Sequence, residues 1–186
     1  MANMFSEAKS AQMAAYFLEK NARSMPYLKL LKLLYLADRE AMRVTGDSMS
    51  GDHFVSMPHG PVLSRTYELI NQSTSSEAWD ALIAPASDRS VKLRKSIRRS
   101  DLDELSDQDI DILKSIQRQF GGMSKWEIRD WTHRHCAEWQ DPNGSSFPIR
   151  PEAIFRAVGC NEKEAAKRAA NYNERRELDR ALSRYR

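Results

Sequence analysis

Cysteine is scarce: the 186-residue chain carries two, Cys136 and Cys160, far apart and with no CxxC spacing. That usage argues for reduced thiols rather than a disulfide, and with it for a cytoplasmic protein. No stretch approaches the roughly 20 consecutive apolar residues of a membrane-spanning helix. No basic segment followed by an apolar run opens the chain, so neither insertion nor secretion is expected. The sequence also lacks a GxSxG elbow, a GxxxxGKS/T loop and a GxGxxG loop, which removes the usual signals for a nucleophilic hydrolase or a phosphate-binding enzyme. A large charge of one sign is missing too. Against 29 basic residues stand 26 acidic ones, and a net charge of +3 is too small to imply nucleic acid without a basic motif. No catalytic residue, metal or cofactor is therefore expected.

Metal ligands and acid–base pairs fail on spacing. There are four histidines, and His133, His135 and Cys136 come close together in the chain. Residues two apart on a helix point to different sides, whereas a helical metal pair needs a spacing of about four. Asp38 and Glu40 diverge for the same reason and read as a surface or capping pair. His53 and His59 flank a turn, with no carboxylate or cysteine spacing to make a site of them.

What is present is helical periodicity. Residues 7–21 repeat alanine and leucine at helical spacing behind Ser6, a good N-cap. Pro26 stands where a second helix begins, and residues 28–44 are so apolar that only Lys29, Lys32, Arg39 and Arg43 form a polar stripe, up to Gly46. This helix is expected at the centre of the core. Residues 53–57 favour a short strand, which runs into a turn through Pro58, His59, Gly60 and Pro61. Pro61 then suits the first position of a helix carrying Val62, Leu63, Tyr67, Leu69 and Ile70. A β-hairpin is expected from residues 79–83 and 91–93.

Ser106 with Asp109, and Ser124 with Glu127, resemble capping boxes. They open helices bearing Ile110, Leu113, Ile116 and Phe120, ended by Gly121-Gly122, and Trp126, Ile128 and Trp131, ended after Trp139 by the turn at residues 141–144. Pro151 opens a short helix with Ile154, Phe155 and Val158, and residues 162–185 form a charged, alanine-rich helix with a thin apolar face ending in Tyr185. The expected fold is mainly α: a compact helical domain at 1–140 with a small β-hairpin or short sheet, and a C-terminal helical extension at 141–186 packed on or projecting from it. The basic run of Arg89, Lys92, Arg94, Lys95, Arg98 and Arg99 is followed directly by Asp101, Asp103, Glu104, Asp107, Asp109 and Asp111. Opposite blocks this close favour a self-paired surface over a nucleic-acid groove.

The run from Lys29 to Ala37, then Gly46, residues 54–57, Gly60-Pro61-Val62 and Tyr67, resembles the core signature of the SocA-like Panacea-domain antitoxins. Trp131-Thr132-His133 with Trp139 resembles that family's later helix, so the likeness spans about residues 26–139. Met57-Pro58-His59 departs from it, standing where many members carry an aromatic residue before the Gly-Pro-Val. The resemblance implies a helical fold with a small β element and an antitoxin that neutralises a cognate toxin, encoded nearby, by direct contact. Methionine and aromatic side chains suit such an interface, which nominates Met57, His59 and Tyr67 as toxin-binding residues. Gly60, Pro61, Val62, Thr132, His133 and Trp139 form the family motif, and Gly60 and Pro61 also have a conformational account as turn and helix-start residues. Two other roles are weighed beside inhibition: an adaptor delivering the toxin to a cytoplasmic protease, with the charged C-terminal helix as second contact, and a DNA-binding regulator of transcription. Self-association through that helix is a further expectation.

Overall fold

The computed structural model describes residues 5–183, so Tyr185 lies outside the described residues. Helix α1 (Glu7–Lys20) starts on the Ser6 side chain, which accepts the amide of Lys9. Strand β1 (Ser24–Pro26) leads into α2 (Tyr27–Thr45), which stops at Gly46 with φ +79, a left-handed conformation open to glycine. Seven residues of α2 from Leu30 to Ala37 are buried apolar side chains. The helix packs against α1 and β1 and against the later segments Gly60–Leu63, Ser64–Ile70, Asp107–Phe120, Lys125–His135 and Pro151–Ala157.

Strands β2 (Phe54–Met57) and β3 (Gly60–Leu63) pair antiparallel with Met57 opposite Gly60. Pro58 and His59 make the turn. Helix α3 (Ser64–Ile70) therefore begins three residues after Pro61, where the sequence placed its start. The reason lies outside the segment: the Asp52 carboxylate accepts the amides of Arg65 and Thr66 and the Thr66 hydroxyl, so it caps the helix at the later position.

The expected strand at residues 79–83 is also corrected. Ser76 accepts the Trp79 amide and caps α4 (Glu77–Leu82), and the strand β4 begins only at its end (Ile83–Ala86), pairing with β5 (Ser90–Leu93). β1 adds to the outer side of β5, giving the sheet order β1-β5-β4. Helices α5 (Asp107–Phe120) and α6 (Lys125–His135) start on the two capping boxes. α6 ends at Cys136 and not beyond Trp139, because the Trp139 amide turns back onto the Cys136 carbonyl. Strand β6 (Phe147–Pro148) completes a second sheet in the order β3-β2-β6, and α7 (Pro151–Ala157) and α8 (Glu162–Ser183) follow. The fold is thus mainly helical, with small antiparallel sheets.

Two charged residues assigned to the surface are buried. Lys32 belongs to the core side of α2, and Asp38 is enclosed while its carboxylate accepts the amides of Met49 and Ser50 and the Ser50 hydroxyl. Asp38 thereby holds the loop after α2, its carboxyl pushed up to about 7 by burial against the opposing pull of those bonds. In the same interior Glu138 accepts from Tyr35 Oη at 2.7 Å and Arg39 Nε at 2.6 Å, tying α2 to the segment after α6. The basic and acidic blocks meet at Arg98–Asp101 and Arg99–Asp107.

Candidate functional site

The β2–β3 turn lies beside Lys32 of α2 and, at Gly60, beside Thr132 and His133 near the end of α6. Gly60, at φ +96, returns the chain from the turn to the strand in a conformation that a β-carbon resists. Its bare face is also needed for space. A β-carbon here would stand 2.9 Å from Lys32 Nζ, 2.9 Å from Thr132 Oγ1 and 3.2 Å from the His133 ring. The two halves of the motif, separated by about seventy residues of chain, therefore meet at this glycine.

Around that meeting point the polar and aromatic motif residues make specific contacts. Lys32 Nζ donates to the Pro61 carbonyl at 2.8 Å, its one acceptor among the described residues, and burial pushes its pKa down to about 7. Thr132 donates back to the Arg129 carbonyl at 2.7 Å within α6. The His133 ring stacks on Trp139 with centroids 4.0 Å apart, and Trp139 Nε1 donates to the Met57 carbonyl at 3.0 Å. This clamps the first residue of the turn. His133 Nε2 is buried with no hydrogen-bond partner among the described residues, and burial followed by the charges of Lys32 and Arg129 holds its pKa down.

Above this base opens a cleft of about 500 Å³. Met57, His59 and Tyr67, which the sequence nominated, all line it, together with Gly60 and Val62 of the motif. Thr132, His133 and Trp139 lie behind its wall instead. Sequence reasoning missed Lys32, Tyr27, Arg89, Lys125 and Trp126, which the fold brings to the same cleft from α2, the β4–β5 turn and α6. Lys32 left one signal: Leu28, Leu31, Tyr35 and Leu36 surround it at helical spacing, so its polar stripe is narrow. Trp126 keeps 49% of its surface exposed, held between Lys125 and Arg129 at 5.0 and 4.8 Å from its ring.

The HxHC trio diverges: His133 faces Trp139, His135 stacks on Trp131 at 4.6 Å, and the buried Cys136 thiol is pushed up to about 12 by burial. Both cysteines are free. Among the described residues no three His, Cys, Asp or Glu side chains converge as a metal site would require, and no helix is long and apolar enough to cross a membrane.

No curated protein and no solved structure matches the chain. The model of the family described as antitoxin SocA-like, Panacea domain, matches residues 30–140, a span that begins in α2 and runs through the whole motif to Trp139. Because that match takes in more than half of the chain, this protein belongs to the SocA-like Panacea-domain antitoxin family.

Proposed function

We propose that the protein is a non-catalytic antitoxin that neutralises a cognate toxin by direct binding, with the cleft beside the β2–β3 turn as its docking surface. The observation that carries this reading is the gathering of Met57, His59 and Tyr67 with the half-exposed Trp126 around one opening, in a chain of the antitoxin family. Aromatic and methionine side chains at a partly desolvated cleft act as anchors, while the motif beneath holds the turn rigid so that little ordering entropy is lost on binding.

The test uses the product of the adjacent reading frame as the toxin. His59→Ala removes an exposed side chain from a turn whose backbone is held by other residues, so melting should stay at the wild-type value, whereas Met57→Ala trims a side chain half-buried against the core and should lower melting modestly. Affinity for the toxin should fall about tenfold or more, and protection in co-expression should weaken. Wild-type binding by both variants would leave the turn as a scaffold only.

A second reading, delivery of the toxin to a protease, draws on Leu178 and Leu182, which lie one turn apart on α8 and are 57% and 60% exposed. It requires the bound toxin to have a shorter half-life in cells than free toxin, and an unchanged half-life would exclude it.

A further inference from the structure

The cleft has a charge of one sign. Lys32 at its floor, and Arg89, Lys125 and His59 toward its rim, are the groups able to carry charge there, apart from the tyrosine hydroxyls. Among the described residues that line it there is no aspartate or glutamate. Some basic side chains elsewhere on this molecule have carboxylates close by, as Lys9 has Asp109, Arg39 has Glu138 and Arg175 has Asp47. Lys32 has no carboxylate partner among the described residues, although it is fully buried and its ammonium has three donors for the single Pro61 carbonyl. Burial disfavours the charged form of the Lys32 amine, and a carboxylate brought into the cleft above it would favour that form. The walls between these groups are apolar and aromatic: Tyr27, Leu28, Met57, Tyr67 and Trp126.

We propose that the cleft receives an acidic segment of the toxin, one or more carboxylates directed at Lys125 and Arg89 above the buried Lys32, with neighbouring apolar or aromatic side chains seated against Tyr27, Met57, Tyr67 and Trp126. This rests on the antitoxin reading above and specifies the chemistry of the partner. The occupant is a protein segment because the charges are separated by aromatic and aliphatic wall, which matches carboxylates interspersed with apolar side chains. Across a protein interface such complementarity acts on partner choice and on association rate more than on raw affinity. It also offers one account of how a single scaffold selects its toxin: the acidic segment is the feature read.

The experiment measures binding of the purified adjacent-frame protein to the full chain and to two charge reversals at the rim, Lys125→Glu and Arg89→Glu, with Lys163→Glu on α8 as a control away from the cleft. Melting curves accompany each variant. Both rim variants should melt like wild type yet bind about tenfold to a hundredfold more weakly, the loss being greatest at low salt. The control should bind as wild type does. An Asp→Lys or Glu→Lys change in the toxin segment should restore binding to Lys125→Glu. If the toxin binds wild type and both rim variants alike, the acidic-segment inference is overturned while the antitoxin reading stands. If the adjacent-frame protein binds neither wild type nor variants, both fall. ATP serves as a small-anion probe, and its binding in the cleft without competing with the toxin would likewise overturn the inference.

Discussion

At the residue scale, Gly60 and Lys32 show how closely the β2–β3 turn is packed on α2 and α6. Gly60→Val would meet strain twice, from a β-branched side chain at φ +96 and from atoms 2.9 Å from its β-carbon. Lys32 Nζ is flexible and can retreat, but Thr132 Oγ1 is fixed by its bond to Arg129. The expected loss is about 2 to 4 kcal/mol, read as a lower denaturation midpoint, and the proposed toxin binding should fall with it. A midpoint within error of wild type would show that the turn tolerates the side chain. Lys32 gives a pH signature. Its amine titrates near 7 in the folded protein and near 10.5 when unfolded, so between these values the unfolded chain holds the extra proton and stability rises with pH. Compared with Lys32→Met at each pH, wild type should gain up to about 1.4 kcal/mol per pH unit from about pH 7.5 to 9. A difference independent of pH would mean that the ammonium stays charged in the folded state.

At the scale of elements, the signals carried within a helix were legible and those supplied from afar were not. The boxes Ser106–Asp109 and Ser124–Glu127 are local and stand in the sequence as they stand in the structure. The cap of α3 comes from Asp52, a dozen residues upstream of the helix, so the local signal at Pro61 pointed to the wrong first turn. The two kinds of cap should differ in strength. Ser124→Ala removes one exposed side-chain cap and should cost about 1 kcal/mol. Asp52→Ala leaves two helix amides and a buried Thr66 hydroxyl without their acceptor, and should cost about 2 to 4 kcal/mol, with Asp52→Asn in between. Equal costs in urea denaturation would show that the remote cap is redundant. The strand expected from Trp79 failed for a related reason: aromatic and apolar residues there favour a strand, yet the Ser76 cap and burial of Trp79 won.

At the scale of the whole molecule, the segment after residue 146 contributes to the same interior as the rest. β6 pairs with β2, Ile149, Ile154 and Phe155 join the core, and Ala165, Ala169 and Tyr172 of α8 are buried. A chain ending at residue 146 should lose cooperative unfolding and bind a hydrophobic dye, because it uncovers the outer edge of β2 and the side chains beneath α7. A sharp melt near the wild-type temperature would show that the preceding segment folds unaided. The properties that repeat along the chain are readable without the fold: the helical class, α2 as the centre of the core, the local caps, and the family motif. Their information is local, in spacings of three to four residues and in glycine and proline. It is the packing of distant elements that makes Lys32 and Asp38 interior, sets Thr132 and His133 against Gly60, and gathers Arg89, Lys125 and Trp126 in a cleft with Met57, His59 and Tyr67. Those relations join residues from distant elements, and burial at a junction of elements depends on which faces meet, a quantity that periodicity along one helix does not contain.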